Sequence, residues 1–214
     1  MAELETGLET RRYRGLDATE RLADRRARLV EAGFDLFGTQ GYHAVSIRQL
    51  CRQAGLTERH FYQSFTDRRE LLSAVYENVF TEVRDATFTA VAEAPATLEA
   101  QARAGLRTFI RALADDPRVA RVLLFESVGV GETLDRRRRA VVNEFAGLIA
   151  ATVLPHSGEP VTPRLSMVAA MIVGGLNELL AEWTLGQRYG SIEDLIDVGV
   201  DICTALYDTF VTRA

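Results

Sequence analysis

Lysine is absent from the 214 residues, and all 25 basic side chains are arginine. Cysteine occurs only at Cys51 and Cys203, far apart, with no CxxC spacing and no neighbouring histidine. That excludes a disulfide framework and a structural zinc site, and suits two small buried hydrophobes. The three histidines, His43, His60 and His156, lack metal-ligand spacing. Five prolines and no low-complexity tract argue for a folded chain. The opening stretch MAELETGLETRRYRGLD has no apolar core of signal-peptide length, and no run approaches the roughly 18 apolar residues of a membrane span, so a cytoplasmic protein without membrane association is expected. A glycine-rich phosphate loop and a recognisable nucleophile context are also missing, which speaks against an enzyme and calls for no cofactor.

What is present is helical spacing. No segment alternates like a strand, whereas apolar residues recur at three, four and seven throughout, so an all-α protein is expected. Leu22, Leu29, Ala32, Leu36 and Phe37 mark a helix over 21–37, ended by Gly38 and Gly41. Ser46 can cap a second helix, with Ile47, Leu50, Cys51 and Ala54 inward and Arg48, Gln49, Arg52 and Gln53 outward, stopped by Gly55. Thr57 caps a third through Tyr62. From Asp67 a longer helix carries Leu71, Leu72, Val75, Tyr76, Val79, Phe80 and Val83 to about residue 92. Further helices are expected over 98–114, 117–128, 133–153, 163–186 and 192–211, separated by glycine and proline punctuation.

Two short helices joined by a glycine turn form a helix-turn-helix, whose second helix enters the major groove and needs polar side chains at its start on an apolar underside. The stretch GLTERHFYQSF, residues 55–65, has both. Phe61 and Phe65 would anchor it, Thr57, Glu58, Arg59 and His60 would face base edges, and the Tyr62 hydroxyl would reach a phosphate. The Arg59 fork suits guanine and Glu58 can accept from a cytosine amine, with Arg48 and Gln49 as further candidates. A net charge of −5 argues against indiscriminate coating of nucleic acid, so the placement of the arginines matters more than their sum.

The stretch SIRQLCRQAGLTERHFYQSFTDRRELLSAVY resembles the signature of the TetR family of transcriptional regulators in the order and spacing of its hydroxyl, glycine, tyrosine, phenylalanine and basic positions, over about residues 25–80. The resemblance implies phosphate contacts from Ser46 and Tyr62 and a basic role for Arg68 at the start of the fourth helix. Cys51 departs from the usual alanine, and Ser64 stands where a histidine or tyrosine often adds a phosphate contact. A flexible tail is expected over 1–17, and the resemblance implies a helix-turn-helix domain over 18–66 and a ligand-binding and dimerisation domain over 67–214, with the change from one to the other falling in the helix that starts at Asp67. The function implied is a homodimeric repressor on a palindromic operator, released by a small, largely apolar effector.

The last two helices are compatible with a dimer. Ala169, Ala170, Gly174 and Gly175 allow close approach, and Leu195, Ile196, Val198, Ile202, Leu206 and Phe210 add more apolar surface than one packed face needs. A pocket is expected among residues that include Phe109, Leu113, Leu124, Phe125, Phe145, Ile149, Met167 and Met171, each more often plain core than ligand contact. Asn177 and Glu178 are polar in an otherwise apolar helix, where a ligand, a helix end or a second subunit can satisfy them. The run DRRRRAVV, with Arg136 to Arg139, reads as a solvated helix start or as an attractor for an anionic ligand such as an acyl thioester. Other readings are a helical protein-interaction module, a redox-sensing regulator using Cys51 or Cys203, and an N-terminal arm in which Arg11, Arg12 and Arg14 touch the minor groove.

Overall fold

The computed structural model describes residues 17–153, 163–186 and 190–210. Among them the elements are helical: α1 (Ala18–Gln40), a 3-10 turn (Tyr42–Ala44), α2 (Ile47–Gln53), α3 (Glu58–Ser64), α4 (Arg68–Glu93), α5 (Leu98–Asp115), α6 (Pro117–Ala120), a π turn (Arg121–Glu126), α7 (Glu132–Val153), α8 (Pro163–Thr184) and α9 (Ile192–Phe210). The all-α expectation holds. The N-terminal arginines and His156 lie outside the described residues.

Helix starts follow their caps. Asp17 accepts from the Thr19 and Glu20 amides at 2.8 Å while its own amide donates to Glu20 at 2.7 Å, so α1 begins earlier than the apolar stripe alone suggests. At α4, Asp67 accepts from the Glu70 amide at 2.9 Å, and Glu70 in turn accepts from the Thr66 amide at 2.6 Å. The expected helix over 117–128 is instead one α turn followed by a π turn. Arg121 and Glu126 are five residues apart and pair at 2.8 Å, a spacing that an α-helix would turn away from itself and a wider turn brings together.

The chain divides into two compact units, residues 1–75 and 76–214. The core of the first includes Leu29, Phe37, Val45, Leu50, Phe61 and Phe65, closed by Leu71, Leu72 and Val75 from the start of α4, all at most 2% exposed. A Cβ on Gly33 would lie 2.8 Å from Val75, so α1 and α4 approach more closely than a larger side chain allows. The first unit therefore continues past residue 66.

In the second unit α5 packs against α9 and α7 against α8. Three arginines of α5 pair with α9: Arg103 with Asp197 at 2.5 Å, Arg107 with Glu193 at 3.0 Å, and Arg111 with Glu193 at 2.7 Å. These pairs are exposed, so solvent screens them and they add little to stability. Apolar packing does more: Phe145 stands edge-on to Phe109 at 4.9 Å and to Phe80 at 5.9 Å, and burying one such ring stabilises by about 1.5–3 kcal/mol.

Candidate nucleic-acid interface and effector cavity

The turn between α2 and α3 is built around Gly55. Its φ of +62° is in the left-handed region, and a Cβ there would lie 2.8 Å from the Arg28 guanidinium. That guanidinium donates to the Ala54 carbonyl at 2.5 Å, satisfying the end of α2. Thr57 then caps α3 through the His60 amide at 3.4 Å. Phe61 is fully buried and Phe65 is 2% exposed, which seats α3 on α1 and α2. Arg26 fixes its far end, donating to the Ser64 carbonyl at 2.7 Å with its guanidinium 4.1 Å from the centre of the Phe65 ring.

With the underside held, Thr57, Glu58, Arg59 and Tyr62 project to solvent, and Tyr62 is 59% exposed. Arg48 and Ser46 of the second helix and its cap are exposed too. Arg48, Arg52 and Arg59 have no ion-pair partner among the described residues, so positive charge is left free on this unit.

The other expected residues, Gln49, His60, Ser64 and Arg68, are half-buried. His60 is turned toward the interior: its Nδ1 is buried and unpaired, because it lies beside Phe61 and one helical turn before the half-buried Ser64. The Ser64 hydroxyl donates to the His60 carbonyl at 3.2 Å. Gln49 forms a capping box with Ser46, its Oε1 accepting from the Ser46 amide at 2.9 Å and hydroxyl at 2.7 Å. Arg68 donates to the Tyr42 carbonyl at 3.1 Å and to that of Val45, facing the protein rather than solvent. Cys51 is 4% exposed, and burial pushes its thiol up, helped by the charge of Glu58.

The second unit contains an apolar cavity that opens to solvent. It is lined by Thr87 and Val91 of α4, Leu98, Gln101, Ala102, Gly105, Leu106 and Phe109 of α5, Phe145, Leu148, Ile149 and Thr152 of α7, Ile172, Val173 and Leu176 of α8, and Cys203 of α9. Of the expected pocket residues, Phe109, Phe145 and Ile149 line it. Leu113 is buried outside the lining, and Leu124, Phe125 and Asn177 are half-buried outside it. Met167 and Met171 are 62% and 75% exposed, and Glu178 is exposed, on the face of α8 opposite the cavity side. Gln101 and Thr87 are not among the expected residues. The signal for α5 is its stripe at 98, 101, 102, 105, 106 and 109, in which Ala102 and Gly105 leave space.

Two of the four arginines in the run Arg136 to Arg139 are paired. Arg136 pairs with Glu132 at 3.3 Å, and Arg137 pairs with Glu77 at 2.5 Å and with Glu144. Arg84 also approaches Glu144, at 3.6 Å. Burial holds the Cys203 thiol up at about 11, so both cysteines stay protonated at neutral pH and are poor nucleophiles. Among the described residues no helix is long and apolar enough to cross a membrane, and no cluster of acidic, histidine and cysteine side chains could hold a metal.

Residues 29–75 match the family model of bacterial regulatory proteins, tetR family. No curated protein matches the chain significantly in sequence. In structure it is similar to the fatty acid degradation regulator FadR from Bacillus halodurans (TM-score 0.69, 16% identity, 87% of this chain and 96% of that one). It is also similar to FadR from Bacillus subtilis in complex with stearoyl-CoA (0.70, 15% identity, 83% and 96%). A tetR-family transcriptional regulator from Streptomyces coelicolor aligns with TM-score 0.69 and 19% identity, over 89% of this chain and 85% of that one.

Proposed function

We propose that this chain, a TetR-family transcriptional regulator by its residues 29–75, is a homodimeric repressor that binds a palindromic operator and releases it when a small, largely apolar effector enters the second unit. One observation carries the reading. The same chain holds an exposed Thr57, Glu58, Arg59 and Tyr62 on a buried aromatic underside and, separately, a cavity whose lining has no charged side chain. The first arrangement suits base and phosphate contacts, and the second is the apolar lining that small-molecule sites favour.

The dimer rests on α8 and α9. Met167, Met171, Val198 and Ile202 are exposed apolar side chains, and a Cβ on Gly174 or Gly175 would meet nothing within 4 Å of its own chain. Small residues facing open space make sense where another helix must come close. A second copy gives two recognition helices, which a palindrome accommodates in successive major grooves about 34–36 Å apart.

Release is a matter of linkage: an effector that prefers a conformation with poor operator affinity must weaken operator binding by the same factor. The element suited to carry this is α4. Phe145 of the cavity wall meets Phe80 of α4 edge-on at 5.9 Å, and the guanidinium of Arg137 lies 4.8 Å from the centre of the Phe80 ring. A ligand that displaces Phe145 therefore acts on α4 directly. FadR from Bacillus subtilis, of the same fold, was solved with stearoyl-CoA, which supports a lipid-like effector for this chain.

Selection of binding sites from random duplex DNA, at two salt concentrations, tests the reading. Enrichment of a palindrome whose affinity falls with salt is expected. An unenriched pool would remove the operator and with it the repressor.

A further inference from the structure

The cavity carries a selection rule in its few heteroatoms. Only Thr87, Gln101, Thr152 and Cys203 contribute polar side chains to its lining. The Thr87 hydroxyl donates to the Val83 carbonyl at 2.7 Å, and that of Thr152 to the Leu148 carbonyl at 2.9 Å, so both protons are spent inside their own helices. Burial keeps the Cys203 thiol neutral. Gln101 differs: half-buried on α5 between Leu98 and Leu106, its carboxamide makes no hydrogen bond among the described residues. It offers two N–H donors and an acceptor.

Three classes of ligand fare differently against such a wall. An ionised carboxylate or phosphate would leave its hydration shell with no cation in the lining to replace it, and Arg137 is already held by Glu77 and Glu144. A pure hydrocarbon would strip water from the Gln101 amide and return nothing. A neutral molecule with a long apolar body and one hydroxyl or carbonyl group satisfies both the wall and the amide.

Resting on the effector-site reading above, we propose that the cavity takes an uncharged, mainly hydrocarbon alcohol, ketone or ester, and that Gln101 is the specificity-determining residue that binds its single polar group. The remaining lining, from Leu98 to Ile172, is hydrocarbon and suits the apolar body of such a molecule. The rule separates neutral from anionic lipids of equal length.

The test uses the full chain and the neutral fluorophore N-phenyl-1-naphthylamine, displaced at pH 8 by decan-1-ol, methyl decanoate or decanoate. The two neutral compounds should displace it at concentrations at least about tenfold lower than decanoate. Gln101→Met, and Gln101→Leu as a second variant in case the first does not fold, should still bind the fluorophore but lose roughly five- to tenfold in affinity for decan-1-ol, as for one hydrogen bond lost. Decanoate acting as well as decan-1-ol would overturn the ligand class. Unchanged decan-1-ol affinity in the folded Gln101 variants would overturn the role of Gln101. Failure of the native chain to bind the fluorophore at all would overturn the effector site itself, and with it the ligand response proposed above.

Discussion

The guanidinium of Arg68 lies over the ring of Tyr42, 5.0 Å from its centre, and donates to the carbonyl of the same residue at 3.1 Å. It also reaches the Val45 carbonyl, so one side chain of α4 ties both ends of the 3-10 turn that leads to Ser46. The family resemblance points to DNA for this residue, and the geometry points to the turn. Arg68→Ala is expected to cost about 1–3 kcal/mol in urea unfolding, because two carbonyls lose their donor. The slope of log affinity against log salt on operator DNA should stay unchanged. A slope reduced by about one would assign Arg68 to a phosphate instead.

Arg59 is exposed at the start of α3 and free of ion pairs among the described residues. If it reads guanine, Arg59→Ala should cost about 1–3 kcal/mol on the best operator and erase preference at one base position. Binding measured across single-base operator variants decides. Uniform weakening at every position would reduce Arg59 to a phosphate contact.

Met171 is 75% exposed on the same helix as Gly174 and Gly175. If α8 carries the proposed dimer, Met171→Arg should leave thermal stability of the protomer almost unchanged and shift the chain toward monomer, by at least about tenfold in dissociation constant for a buried unpaired charge. Sedimentation equilibrium measures it, and an unaltered dimer would exclude this face of α8 from the interface.

The backbone amide of Glu70 holds the Asp67 carboxyl below its ordinary value of 3.8, with the Arg69 guanidinium assisting. A lowered carboxyl contributes stability above its unfolded value and loses it as pH falls through the folded one. Asp67→Ala should therefore cost about 1 kcal/mol at pH 7, the usual cost of a lost cap, and progressively less as the pH falls past 3.8. Urea midpoints at neutral and acid pH check this, and a gap of equal size at both would assign the cap to neutral hydrogen bonding.

Much of this could be read from sequence because local chemistry decided it. The Ser46 cap, the Gly55 turn and the Phe61–Phe65 underside each depend on residues within a few positions, and the structure places them as expected. Features that depend on direction are less legible. α8 is apolar on more than one face, so the pattern does not reveal that Val173 and Leu176 face the cavity while Met167 and Met171 face out. His60 sits at the first turn of a short helix, where a small rotation exchanges solvent for interior. The π turn accompanies a pairing between Arg121 and Glu126 that α-helical spacing would not suggest.

The boundary between the two units falls inside α4, between Val75 and Tyr76, with helical backbone where many proteins have a loop. An excised head must therefore run to Val75, since stopping at Thr66 would discard Leu71, Leu72 and Val75 from its core. Hybrids face a second constraint. Every residue added or removed at this splice rotates the downstream helix by about 100° around its axis and shifts it by about 1.5 Å. Exchange of the second unit between chains of this build is thus quantised, tolerated in steps near whole helical turns and resisted between them.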